Sequence, residues 1–154
     1  MSDINKADKA VEKISTYLGY LGLLPFYICL LLSQIVNNEQ LEPHSLMVSI
    51  QQAFIFYSAI ILSFMSGTLW QKETSKKKVK LQLLSNILCL IAFACLLMPV
   101  FYALIILPIT YVGLLLTEYL LRFQQQITAS YIKMRLILTL LVVLSHVTAL
   151  LLWY

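Results

Sequence analysis

Five long stretches of low charge constrain the fold of this chain more than any of its other features. An α-helix rises 1.5 Å per residue, so about twenty apolar residues cross a hydrocarbon core about 30 Å thick. Lipid offers the backbone no hydrogen-bond partners, and none of the stretches alternates in polarity as barrel strands do, which leaves helices. The predicted spans are residues 17–36, 48–70, 81–98, 102–121 and 132–153.

The composition agrees with a membrane protein. Of the 154 residues, 60% are hydrophobic and 12% are charged, whereas about a quarter of the residues in a soluble domain are charged. We therefore predict an all-α integral membrane protein, a bundle of five transmembrane helices. A cytoplasmic segment of residues 1–16 would precede one transmembrane domain of residues 17–154. No small-residue cleavage site follows the first span, so this span is expected to remain as an anchor.

The positions of the cations predict the orientation of the helices. If the connectors are assigned alternately to the two sides of the membrane, all 11 Lys and Arg residues fall on one side. Because cytoplasmic loops carry an excess of Lys and Arg, this predicts a cytoplasmic N-terminus and a C-terminus on the opposite side. The residues concerned are Lys6, Lys9, Lys13, Lys72, Lys76, Lys77, Lys78, Lys80, Arg122, Lys133 and Arg135.

The lysine cluster between spans two and three, Lys72–Lys80, has a second interpretation. Basic segments beside a membrane also bind anionic lipid, at about 1 kcal/mol per charge. Orientation alone is sufficient to explain the cluster, and both roles are compatible. The net charge of +4 does not predict a nucleic-acid partner, because the cations flank apolar runs instead of forming one basic face.

Small residues in span two predict a contact between helices. Helices in lipid associate through small side chains that let the backbones approach, and Ala59, Ser63 and Gly67 recur at a spacing of four. Trp70 follows at the inner boundary, where aromatic rings sit among lipid headgroups. The sequence contains no glycine-rich phosphate loop, so a cofactor role for its glycines is not indicated.

Ionisable residues inside a span are the strongest indicators of function, because a charge there is costly. Glu118 precedes Arg122 by four residues, which predicts an ion pair within one helix. The alternative is a role in proton or substrate transfer.

His146 is the second indicator. It follows Arg135 by eleven residues on the same helix face, hence about 16 Å deeper in the membrane. A hydrogen bond from another helix, with Ser63, Asn86 or Thr110 as the partner, would make it a structural residue. A proton relay or a ligand-binding role is the alternative.

The spacing of the remaining polar residues indicates no metal, cofactor or hydrolytic site. Cys29, Cys89 and Cys95 lie in apolar runs, without further ligands at zinc-site spacing. The other histidine, His44, belongs to an outer connector, and neither an HExxH motif nor a catalytic triad occurs. We therefore expect no cofactor and no enzymatic activity.

A motif in span two resembles that of a known family. The stretch YSAIILSFMSGTLW, residues 57–70, is similar to the pattern Y-x-A-x-I-L-S-F-x-x-G-x-x-W of an uncharacterised family of small proteobacterial membrane proteins, which has mitochondrial relatives of the transmembrane protein 69 type. The stretches at residues 18–26 and 131–143 are similar to its first and last helices. Leu69 stands where members often carry a polar or aromatic residue. The resemblance implies five spans and the bacterial inner membrane, and it implies no established activity.

Two functions from different classes fit these observations. The first is a non-catalytic accessory or assembly protein of a membrane complex, which fits the short connectors and the few buried charges. The alternative is a small-solute or ion transporter, which we expect to be oligomeric because five short helices enclose little space. It would need one cavity lined by Ser63, Gly67, Asn86, Pro108 and His146. An enzyme would instead need polar groups that converge at the inner interface around Trp70, Glu118 and Arg135.

Overall fold

The computed structural model describes residues 14, 16–38, 44–71, 78–122 and 129–154, and all regular structure in these ranges is helical. Five of the helices are long and apolar enough to cross a membrane, which confirms the predicted fold class. The five spans are Thr16–Asn37, Ser45–Gly67, Val79–Leu97, Val100–Leu120 and Tyr131–Trp153. The helices are α1 (Leu24–Asn38), which forms the second part of the first span, α2 (His44–Gly67), α3 (Lys78–Leu97), α4 (Val100–Arg122) and α5 (Ala129–Trp153), with a 3-10 helix at Thr68–Gln71. Most of residues 1–16 and of Lys72–Lys80 lie outside the described ranges, so the predictions for these segments stay predictions.

The first span is broken at the turn formed by Gly22 and Leu23, between the helical residues 16–21 and α1. Pro25 causes the break, because its ring lacks an N–H and clashes with the carbonyl group four residues earlier. The Phe26 amide donates to the Leu23 carbonyl (3.1 Å) and not to that of Gly22. The Tyr57 hydroxyl of α2 donates to the Gly22 carbonyl instead, at 2.8 Å, so the freed group stays satisfied within lipid.

The helices form a ring in chain order, in which α5 returns to contact α1. α2 packs across this ring, since it contacts α1, α3 and α4. α3 and α4 are joined by only Met98 and Pro99, so they form a tight hairpin. The largest buried apolar side chains lie between the helices; they are Phe26, Phe54, Leu62, Leu69, Leu104, Leu107 and Leu114.

The small-residue stripe of α2 forms a helix contact at one end only. Ala59 is buried, Ser63 is half-buried and Gly67 is exposed. A Cβ atom added to Gly67 would meet nothing within 4 Å, so the predicted contact at Gly67 is wrong within this chain. The reason is geometric: four residues turn a helix by about 400°, so the stripe rotates by about 80° between Ala59 and Gly67.

Gly19 provides a close contact between the helical residues 16–21 and α5. A Cβ atom at this position would lie 2.9 Å from a Cδ atom of Leu138. The absent side chain therefore lets the first span approach α5 closely, as small residues do in other membrane helices.

Candidate functional site

His146 has hydrogen bonds at both ring nitrogens. Its side chain is 0% exposed, Nδ1 lies 2.8 Å from the Val142 carbonyl oxygen, and Nε2 lies 2.9 Å from Ser58 Oγ. A carbonyl oxygen only accepts, so Nδ1 donates to Val142, and the neutral ring then accepts the Ser58 hydroxyl proton at Nε2. The imidazole therefore ties α5 to α2.

A second hydrogen bond and several aromatic rings complete the surroundings of His146. The Tyr111 hydroxyl donates to the Ser58 backbone carbonyl at 2.8 Å, which ties α4 to the same turn of α2. The Phe54 ring meets the imidazole edge to face at 4.9 Å between centroids, and the Phe26 ring lies at 5.7 Å. These rings surround the imidazole, and the two hydrogen bonds to Ser58 hold α2, α4 and α5 together.

The predicted partner of His146 was wrong. Ser63 donates its hydroxyl to the Ala59 carbonyl of its own helix (2.9 Å), and Thr110 donates to that of Ile106 (2.8 Å). Asn86 is exposed on α3. Hydroxyl groups that bond to the preceding helical turn are common in apolar helices, because this satisfies them locally.

Glu118 and Arg135 form an ion pair between α4 and α5. Arg135 Nε lies 2.7 Å from Glu118 Oε2, and the two residues are 4% and 0% exposed. Arg135 Nη1 also contacts Met65 Sδ of α2 at 3.0 Å. The predicted pair within α4 involves Arg122, whose side chain lies outside the described part of the structure. The structure therefore adds a pair between helices that the spacing of four does not indicate.

A cleft of about 480 Å³ lies between the first span, α2 and α5, with Tyr111 of α4 at its base. Its walls are mostly apolar side chains, and Arg135 is the charged residue among them. Leu18 and Phe64 are exposed at its rim, whereas Phe26 at its base is buried. The cleft therefore opens on the outer surface of the helix bundle, which is the surface that faces lipid.

The seven predicted site residues are not brought to one place. Glu118 and Arg135 meet, whereas His146 lies eleven residues beyond Arg135, hence about 16 Å along α5. The exposed Gly67 and Asn86 cannot line one cavity with the fully buried His146, so the cavity that a transporter would need is not formed by these residues. The cleft is lined by Arg135 but not by Ser63, Gly67, Asn86, Pro108 or His146. The side chain of Trp70 lies outside the described part of the chain.

The site also contains residues that the sequence did not single out. Ser58, Tyr111, Phe54 and Met65 all touch His146 or Arg135. No group of three His, Cys, Asp or Glu side chains that could hold a metal ion occurs in the described residues. The arrangement pairs buried polar groups between helices, and such pairs stabilise helix association in lipid.

Comparison with known proteins gives a family and no activity. The model of a family described as a protein of unknown function (DUF3429) matches residues 11–151. No curated protein and no solved structure matches the chain. Because the match extends over nearly the whole sequence, this multi-pass membrane protein belongs to the DUF3429 family.

Proposed function

We propose that the protein is a non-catalytic accessory or assembly partner of a membrane complex. The observation that supports this role best is that the buried ionisable side chains His146, Glu118 and Arg135 all have polar partners on a facing helix. His146 uses both ring nitrogens in contacts with Ser58 and Val142, and Arg135 binds Glu118. These contacts stabilise a helix bundle, and they leave neither ring nitrogen of His146 available to a substrate.

The transporter alternative has less support. A carrier that used His146 would need water or a solute at the imidazole, because proton relays and ion sites in membranes face aqueous cavities. His146 is 0% exposed and surrounded by Phe26, Phe54 and Tyr111. An enzymatic role has no group to perform it among the residues described above, since Glu118 and Arg135 are paired.

The accessory role is tested by purification from the native membrane in a mild detergent. We expect the tagged protein to elute with the same protein partner, at a constant ratio, in the wild type and in His146→Ala, because the imidazole is internal. Lys133→Ala serves as a matched control on the same helix, where the lysine is exposed. A chain that elutes alone, or with a second copy of itself as the sole partner, contradicts the accessory role.

The orientation and the location belong to the same proposal. The distribution of the cations supports an orientation in which the N-terminus and Lys133 lie on the cytoplasmic side and Tyr154 lies on the periplasmic side of a bacterial inner membrane. The motif at residues 57–70 supports a kinship with proteobacterial proteins and with transmembrane protein 69. We expect a phosphatase fused after Tyr154 to be active, since this enzyme folds only in an oxidising compartment, whereas a fluorescent protein that requires the cytoplasm should stay dark there. The reverse result contradicts the orientation.

A further inference from the structure

The cleft beside Arg135 has the polarity of an amphiphile. One end contains Tyr131, Arg135 and Thr68, and the other end is closed by Phe26, Tyr111 and Val142. From Arg135 to Val142 the cleft follows α5 for about 10 Å, seven residues at 1.5 Å each. A polar head at the first end and an apolar chain along the walls would match this arrangement.

Arg135 presents hydrogen-bond donors at the polar end. Nε is bonded to Glu118 and one Nη1 hydrogen faces the Met65 sulfur, which is a weak acceptor. No acceptor in the described part of the chain is hydrogen-bonded to Nη2. A guanidinium carries five N–H donors, so several of them remain for an oxygen-bearing ligand, and phosphate oxygens fit the planar group best.

The sign of the charge in the cleft favours an anion. Arg135 lines the cleft, whereas its carboxylate partner Glu118 does not and is 0% exposed. The cation is therefore the charge that a ligand would meet first. An anionic head would gain charge-assisted hydrogen bonds that a zwitterionic head forms less favourably, because its own ammonium is repelled.

The depth of Arg135 suits a lipid headgroup. Arg135 follows Tyr131, the first residue of the last apolar span, by four residues, hence by about 6 Å. An arginine near a helix end extends its head towards the interface while its stem stays in the apolar layer. The polar end of the cleft then lies at headgroup level and the apolar end lies among the acyl chains.

We propose that this cleft is a binding site for one anionic phospholipid, with the phosphate at Arg135 and an acyl chain between the first span, α2 and α5. The lipid enters from the bilayer between Leu18 and Phe64, both exposed at the rim. The residues that form this site are different from those of the lysine cluster Lys72–Lys80. It does not depend on whether the protein has a protein partner.

The site is tested by native mass spectrometry of the purified protein with phosphatidylglycerol or phosphatidylcholine of equal chain length. We expect one tightly retained phosphatidylglycerol per chain and about tenfold weaker retention of phosphatidylcholine, which corresponds to about 1.4 kcal/mol. Equal retention of the two lipids overturns the proposal.

Two variants separate the cleft from the rest of the lipid-facing surface. Ile61→Trp places a larger side chain in the cleft, and Ile60→Trp places the same side chain on the exposed face of α2. We expect the first variant to lose the retained lipid and the second to keep it. Equal behaviour of the two overturns the proposal.

A third variant tests the role of the charge. It is designed so that no buried charge is left without its partner. The double variant Glu118→Leu/Arg135→Met removes both charges of the ion pair. We expect it to retain phosphatidylglycerol and phosphatidylcholine equally. A double variant that keeps the preference for phosphatidylglycerol assigns the lipid to another site and contradicts the proposal.

Discussion

Replacing Glu118 by leucine should destabilise the folded protein by about 3 kcal/mol, because Arg135 would keep its charge without the buried carboxylate that neutralises it. The reverse single variant, Arg135→Met, should cost a similar amount, since it removes the guanidinium that binds the buried carboxylate of Glu118. Reversible unfolding in mixed micelles with increasing dodecyl sulfate measures both free energies.

The double variant Glu118→Leu/Arg135→Met distinguishes the loss of the ion pair from a simple loss of packing contacts. A buried ion pair can often be replaced by apolar residues of similar volume at little cost, whereas breaking one half is costly. We therefore expect the double variant to recover most of the lost stability, with a coupling energy of about 2 kcal/mol. Additive losses from the two single variants would show that the residues do not act as a pair.

Phe54→Ala should produce the second large loss, about 3 kcal/mol in the free energy of unfolding. The Phe54 ring is 0% exposed and contacts the rings of Phe26, His146 and Trp153, at centroid distances of 5.3, 4.9 and 5.5 Å. Lipid does not fill the cavity that the alanine would leave. The loss of stability therefore comes from missing dispersion contacts between helices and not from transfer out of water.

Phe64→Ala is the matched control for Phe54→Ala. The two residues lie on the same helix, and Phe64 is 74% exposed on the surface that faces lipid. Acyl chains replace the contacts of an exposed ring, so we expect a change within about 0.5 kcal/mol for this variant. If the two variants lost equal stability, Phe54 would not be part of the packed interior.

The helices were predictable from the sequence because length and hydropathy alone decide them in lipid. The four spans after the first one lie within a few residues of the predicted bounds. α2 begins at His44, before the predicted start at residue 48, because the membrane boundary and the end of the hydrogen-bonded helix do not coincide. The break in the first span also has a local cause in the sequence, which is Pro25.

The pairing of Glu118 with Arg135 could have been predicted from the sequence. Glu118 lies near the end of α4 and Arg135 near the start of α5. A short connector makes these helices antiparallel neighbours, so the two charges lie at a similar depth. The spacing of four to Arg122 suggested a nearer partner and obscured this one.

The partner of His146 and the cleft were not predictable in this way. Ser58 is one of several hydroxyl residues on α2, and only the rotation of α2 relative to α5 selects it over Ser63. The cleft lies where the turn before α1 meets α2 and α5, and Gly19, Gly22 and Leu23 are among the residues that line it. Both features depend on how the helices pack, and the helix pattern of one sequence does not contain that information.

In a non-catalytic helix bundle, His146 joins helices within a dry interior and meets neither water nor solute. Thiol labelling tests this in a background without the three native cysteines, with a membrane-impermeant maleimide applied from each side. Ser145 is 1% exposed beside His146, so Ser145→Cys should stay unmodified from both sides until the protein is denatured. Lys133→Cys, at an exposed position of the same helix, should react fully from the cytoplasmic side. Modification of Ser145→Cys in the folded protein, at a rate comparable to that of Lys133→Cys, would contradict the account and favour a transport pathway.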